Sequence, residues 1–160
     1  PQPIHSALES IDPEHKSLRI YMSPQGEKLN HNLAKSLSNE KWITLINGSF
    51  EGVDQRVIDL DIDKEISIGD YILTSGDFAS LVIINSISRF IPGVLGSELS
   101  AEDESFANGL LEYPQYTRPQ NFLGIEVPAV LLSGNHSEIK KWRYAQSRLI
   151  TKCKRPDLSE

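Results

Sequence analysis

The sequence predicts an α/β protein built on a parallel sheet, and three features point there. Short apolar runs of strand type alternate with stretches whose apolar residues recur every three or four positions. Each of those runs ends in a glycine-bearing loop. At 160 residues, 39% hydrophobic and 24% charged, the chain can bury a core and has no fibrous or low-complexity composition.

The elements follow in order. Residues 1–17 are polar and punctuated by proline, so the first expected element is a buried strand at 18–22 (LRIYM), stopped by Ser23-Pro24-Gln25-Gly26. Over 28–37, Leu29, Leu33 and Leu37 with Ala34 make one apolar helical face. A second strand is expected at 42–46, broken by residues 47–52, with a short helical or mixed segment reaching Leu60. Tyr71-Ile72-Leu73 reads as the third strand, ending at Thr74-Ser75-Gly76. Phe78, Leu81, Val82, Ile84, Ile87 and Ile91 then mark the buried face of a helix closed by Pro92-Gly93. Strands alternating with helices imply a parallel sheet covered by helices.

From 94 to 127 the pattern breaks. Glycines and prolines surround an acidic cluster at Glu98, Glu102, Asp103 and Glu104, which reads as linker or functional loop. Ser133-Gly134-Asn135 signals the start of a last helix, with Ile139, Trp142, Gln146 and Leu149 on one face and Lys140, Lys141, Arg143 and Arg148 mostly elsewhere.

Charge is distributed unevenly. The net charge is −6, yet residues 1–137 hold 9 Lys/Arg against 19 Asp/Glu, while 138–160 hold 7 against 3. An acidic body with a basic tail suits one part that handles a small molecule and another that touches phosphates, although on charge alone a solvated basic helix is the better account. One cysteine, Cys153, rules out an intrachain disulfide and multi-cysteine metal sites, and points to a cytoplasmic setting. His5, His15, His31 and His136 have no metal-ligand spacing, and no apolar run approaches a membrane span. The opening Pro1-Gln2-Pro3, with Met22 as the only methionine, reads as internal to a longer protein.

In an open parallel sheet, ligands bind at the carboxyl ends of the strands. The loops 23–26, 47–52 and 74–76 gather there, and neither GxGxxG nor GxxxxGK[ST] occurs, so if the ligand is nucleotide-like it is expected to be one without phosphates. The same glycines could equally be ordinary turn and cap residues.

Several long segments then carry a resemblance. They are Tyr21-Met22-Ser23-Pro24-Gln25-Gly26, Gly48 with Phe50-Glu51-Gly52-Val53-Asp54-Gln55-Arg56, Ser67-Ile68-Gly69-Asp70-Tyr71-Ile72-Leu73-Thr74, and Arg89-Phe90-Ile91-Pro92-Gly93-Val94-Leu95-Gly96. Ser105-Phe106-Ala107-Asn108-Gly109, Tyr116-Thr117-Arg118-Pro119, Ser133-Gly134-Asn135-His136 and Lys141-Trp142-Arg143 continue the series. Together, and in this order, they resemble the bacterial tRNA (guanine-37-N1)-methyltransferases of the trefoil-knot (SPOUT) superfamily.

The resemblance implies a knotted, parallel-sheet methyltransferase domain over 1–95, lacking its N-terminal segment, then a linker and active-site loop over 96–108. A helical tRNA-binding domain over 109–160 completes the chain. It implies a homodimer, S-adenosylmethionine as methyl donor, and the tRNA anticodon stem-loop as partner. A Mg2+ requirement stays open, with no protein metal site in the sequence. Met22, Ser23, Pro24, Gly48, Glu51, Ile68, Gly69, Asp70, Tyr71, Ile72, Leu73 and Gly76 are implied as cofactor-binding. Arg89 is implied at guanine O6, and Glu104 as the base that takes the N1 proton.

The sequence departs from the family pattern in three places. The family's Glu-Asp-Ser reads Asp103-Glu104-Ser105, leaving Asp103 as an alternative base, Ser49 replaces an arginine, and Ser75 replaces the first of two glycines. They motivate the alternative of a catalytically impaired protein of the same fold that binds tRNA or the cofactor. An α/β interaction domain that binds neither is the more distant rival.

Overall fold

The computed structural model describes residues 1–48, 51–94 and 104–158. The chain divides into two compact units, Pro1–Gly96 and Ser97–Glu160. The expectations on Ser49, Phe50, Leu95, Gly96, Glu98, Glu102 and Asp103 lie outside the described residues.

The first unit runs α1 (Gln2–Ile11), β1 (Leu18–Lys28), α2 (His31–Leu37), β2 (Ile43–Asn47), α3 (Gln55–Asp61), β3 (Lys64–Ser67) and α4 (Asp77–Ser88). Its strands make one parallel sheet in the order β2-β1-β3. Each parallel return requires a crossover, which α2 and α3 supply. β1 is central, and the strand period of two divides its side chains between two cores. Ile20 and Met22 pack with Ile66, with Leu37 of α2 and with Ala79, Ile83 and Ile87 of α4. Tyr21 packs with Leu8 of α1 and Ile46, next to Ile58 of α3. Ile20, Ile66 and Ile83 are wholly buried, and each such side chain stabilises the fold by roughly 1.5–3 kcal/mol.

Arg19, also on β1, is buried as well. Its Nη2 donates to the Asp12 carbonyl at 2.6 Å, its Nε faces the Asp12 carboxylate at 3.4 Å, and Asp61 lies 3.9 Å from Nη1. Asp61 in turn meets His5 Nδ1 at 2.9 Å, tying α1 to α3. Burial opposes the Asp12 charge, but donors from Lys16 N, Ser17 Oγ and Ser17 N, with the Arg19 charge, outweigh it and lower its pKa to about 2.

Several expectations are corrected here. The polar opening contains α1, because Pro1 and Pro3 fall in the first turn, where their missing N–H groups cost nothing, and Leu8 anchors the helix. β1 does not end at 22: the chain leaves the ladder at Met22 and rejoins at Glu27, both opposite Ile66. Pro24 cannot donate to a ladder, and a Cβ on Gly26 would lie 2.4 Å from Ile66 N, so this bulge needs its glycine. The third strand is Lys64–Ser67, whereas Tyr71-Ile72-Leu73 forms an exposed loop, with Ile72 81% accessible. On α4 the buried stripe is Ala79, Ser80, Ile83 and Ile87, and Phe78, Leu81, Val82 and Ile84 are exposed, as is Ile91 beyond the helix end. That helix is apolar nearly all round, so periodicity could not select its inward face.

The second unit begins, among described residues, with a turn over 104–112. Phe106 N donates to Leu110 O at 2.7 Å and Glu112 N to Ser105 Oγ at 2.9 Å. A short antiparallel hairpin, β4 (Asn121–Phe122) and β5 (Ile125–Glu126), precedes α5 (Ala129–Leu132), α6 (His136–Lys154) and a 3-10 turn at Pro156–Leu158. Asn135 caps α6 by accepting from Glu138 N at 3.3 Å, as the sequence predicts. Ile139, Trp142 and Gln146 lie on its packed side with the buried Ser147 and Thr151, but Leu149 is exposed. The Thr151 hydroxyl accepts from Leu111 N at 2.9 Å and so anchors the 104–112 turn to α6.

Candidate functional site

The carboxyl ends of β1, β2 and β3 open into a cleft of about 440 Å³ lined by three loops of the first unit. That volume lies in the range of small-molecule sites, roughly 300–1,000 Å³. Met22, Ser23 and Pro24 line it from the bulge in β1, Gly48 and Glu51 from the loop after β2, and Ile68, Gly69, Tyr71, Ile72, Leu73 and Gly76 from the loop between β3 and α4. Of the residues implied as cofactor-binding, Asp70 does not line the cleft. Its carboxylate is turned to Lys28 Nζ, 2.7 Å away at the surface.

Each loop is held locally. In the first, Ser23 Oγ accepts from Gln25 N at 3.2 Å. The second is seated on Tyr21, whose hydroxyl would stand 2.9 Å from a Cβ at Gly48, and only a bare glycine backbone can approach that closely. Its far end is fixed where Asp54 caps α3 by accepting from Arg56 N at 2.9 Å. The Arg56 guanidinium and backbone N–H hold the Asp54 carboxyl well below the usual range. In the third, Ser67 Oγ accepts from Gly69 N at 3.2 Å, and the Tyr71 hydroxyl donates to Ile68 O at 3.2 Å, folding the ring back over Gly69. Ser75 is not among the positive-φ residues, so serine fits there without backbone strain.

The lining chemistry is selective. Among the described residues, no lysine or arginine lines the cleft, while Glu51 and Glu65 do, beside Gln25 and Gln55. A phosphate would meet no counter-charge there, whereas a cationic ligand with an apolar body is favoured. The sequence did not single out Glu65, Gln25 or Gln55. Glu65 follows from placing β3 at 64–67, and Gln25 and Gln55 from the bulge and the start of α3.

Arg89 does not line this cleft. It caps the C-terminus of α4, and 13 helical steps from Gly76 put it about 20 Å along the axis. Glu104 belongs to the second unit, half-buried, with its carbonyl accepting from Ala107 N at 3.3 Å. Phe106, two residues on, holds a left-handed backbone with φ of 76°, a conformation that costs of order 1–3 kcal/mol for such a residue.

The second unit has its own cleft of about 470 Å³, lined by Tyr113, Tyr116, Arg118 and Arg143 among others. The Arg143 guanidinium lies 4.6 Å over the Tyr113 ring, and Tyr116 lies 6.4 Å from the Trp142 ring. Lys140, Lys141 and Arg148 are exposed on α6 nearby in sequence. Among the described residues, no cluster of three His, Cys, Asp or Glu is arranged for a metal ion, and no helix is long and apolar enough to cross a membrane.

Comparison with known proteins adds a further finding. The model of the family described as tRNA (Guanine-1)-methyltransferase TrmD matches residues 1–160. A tRNA (guanine-N(1)-)-methyltransferase of Carboxydothermus hydrogenoformans is 55% identical over 157 residues, covering 98% of this chain and 62% of that protein. Its counterpart in Clostridium perfringens is 50% identical over 160 residues, covering 100% of this chain and 67% of that protein. The Protochlamydia amoebophila protein of the same name is 52% identical over 159 residues, covering 99% of this chain and 71% of the relative. This chain thus spans roughly two thirds of the relatives' length, and less than that of the Carboxydothermus protein.

Proposed function

This chain belongs to the tRNA (guanine-1)-methyltransferase family, and from that premise we propose that the protein transfers a methyl group from S-adenosylmethionine to N1 of the guanine on the 3′ side of a tRNA anticodon. The observation that carries this reading is the cleft at the strand ends, with its glutamates and its lack of cationic lining among the described residues. S-adenosylmethionine carries a sulfonium and an ammonium and no phosphate, so the lining fits it. When bound, it supplies an activated methyl electrophile.

The chain's own residues then have two tasks. Glu104, with Asp103 as the alternative, takes the N1 proton, and Arg89 stabilises the negative charge that develops on O6. Alignment of N1 with the methyl supplies much of the acceleration. We assign the cleft loops to the trefoil knot of the superfamily and Met22, Ser23, Pro24, Gly48, Glu51, Ile68, Gly69, Tyr71, Ile72, Leu73 and Gly76 to the donor. Asp70, paired with Lys28, takes no part in that contact.

A homodimer is part of the same reading. The exposed apolar side of α4, with Phe78, Leu81, Val82 and Ile84, supports a subunit contact. The separation of Arg89 from the Gly76 loop supports a reaction centre drawn from two chains. The basic face of α6 and the tyrosine–arginine cleft of the second unit suit the anticodon stem-loop, whose unpaired bases stack on aromatic and guanidinium planes. A cytoplasmic location goes with a tRNA substrate.

The test is methyl transfer by the full-length protein. Glu104→Ala and Arg89→Ala chains are each inactive alone, and mixing them restores activity in the heterodimers that retain one intact composite centre. No recovery on mixing argues against a shared site. Uptake of S-adenosylmethionine without transfer to any tRNA supports instead a non-catalytic binding protein of the same fold.

A further inference from the structure

At the edge of the cleft, Asn47 of β2, Ser75 of the third loop and Asp77 and Ser80 of α4 form a polar network that no step above uses. The amide of Asn47, the last residue of β2, is engaged at both ends. Its Oδ1 accepts from Ser80 Oγ at 2.6 Å, and its Nδ2 donates to Asp77 Oδ1 at 2.8 Å. The other Asp77 oxygen accepts from Ser75 Oγ at 2.6 Å, and Ser75 Oγ accepts from Asp77 N at 3.0 Å. Gly76 lies between these residues, directly against Asn47: a Cβ there would be 3.2 Å from both Asn47 Cβ and Oδ1. Ser80, polar in an otherwise apolar buried stripe of α4, has its reason for being there in this bond.

We propose that Asn47 is a positioning residue for the donor cleft, its amide clamping the first turn of α4 so that the Gly48 loop and the Ser75-Gly76 loop are held at a fixed separation. The proposal rests on the assignment of that cleft to S-adenosylmethionine. Gly48, Ser75 and Gly76 all line the cleft, while Asn47 itself does not, so it acts through them. The clamp is placed where it is needed. Ile72 and Leu73, in the middle of the third loop, are exposed, so the loop is held at its two ends, by the Gly69–Tyr71 turn on one side and at Gly76 on the other. A single amide satisfies both an acceptor need and a donor need there, and the donor–acceptor order is specific, because Asp77 has only acceptors to offer.

The order can be reversed. Asn47→Asp sets two carboxylates face to face, whereas Asn47→Asp with Asp77→Asn exchanges donor and acceptor. The exchanged pair keeps the Ser80 bond to position 47 and the Ser75 bond to position 77. Calorimetric titration of the full-length protein with S-adenosylmethionine reads the effect, alongside urea denaturation of each variant. Asn47→Asp weakens binding about tenfold, equivalent to ~1.4 kcal/mol, and the exchanged pair returns to within about threefold of the parent. Parent-like binding by Asn47→Asp overturns the proposal, as does an exchanged pair no tighter than Asn47→Asp. If Asn47→Asp does not fold, Ser80→Ala, which lies outside the cleft lining and removes only the bond to Asn47 Oδ1, serves instead: about threefold weaker binding supports the clamp and unchanged binding overturns it. A parent protein that takes up no S-adenosylmethionine overturns the cleft assignment, and this proposal with it.

Discussion

Replacing Gly48 by alanine tests how closely the second loop is seated on the sheet. The added Cβ would stand 2.9 Å from the Tyr21 hydroxyl oxygen and 3.3 Å from both Tyr21 Cε2 and Val53 Cγ2. Heavy atoms rest at about 3.5 Å, so roughly half an ångström has to be found at the hydroxyl. Tyr21 is only 7% exposed and belongs to the cluster with Leu8 and Ile46, so its ring cannot retreat without pressing on that core. Overpacking of this kind costs about 1–3 kcal/mol. Alanine also restricts the unfolded chain, which returns about 0.4–1 kcal/mol, leaving a net loss of about 0.5–2 kcal/mol. In a domain of this size each 1 kcal/mol lowers Tm by about 4–8 °C. The assay is urea denaturation of Gly48→Ala in two backgrounds, the parent and Tyr21→Phe. Removing the hydroxyl deletes the shortest contact, so in the phenylalanine background the alanine is neutral or stabilising. An equal loss in both backgrounds would falsify the hydroxyl contact as the cause.

Two further outcomes follow from the packing. Asp12 titrates at about 2 in the folded protein against an ordinary 3.8. A depressed carboxyl stabilises the fold above its unfolded pKa, and that contribution is lost as pH falls from about 4 to 2. Acid unfolding followed by circular dichroism is therefore shallower over this window for Asp12→Asn, and identical slopes would contradict the buried pairing with Ser17 and Arg19. In the second unit, Thr151→Val leaves the Leu111 N–H without its 2.9 Å acceptor, at a cost of about 1–3 kcal/mol. Amide exchange at Leu111 accelerates in that variant, and unchanged exchange would show that Thr151 does not anchor the 104–112 turn.

Local chemistry alone made much of this protein legible. Alternation of strand and helix signals specified a parallel sheet, because parallel neighbours must be joined by crossovers. Asn135 announced the start of α6 through its capping chemistry, and the loops at 23–26, 47–52 and 74–76 were expected on one side of the sheet from the direction its strands run, where residues of all three line one cleft. Tertiary structure decided the rest. Tyr71-Ile72-Leu73 is more apolar than Lys64-Glu65-Ile66-Ser67, yet the latter forms β3 because Ile66 alone enters the core, and the former is spread along a cleft. α4 presents apolar residues on every side, so only its packing on the sheet could choose Ile83 over Leu81. The Asn47 clamp and the Tyr21 seat under Gly48 join residues 30 and 27 positions apart. No window of sequence contains both partners, and only the folded chain brings them into contact.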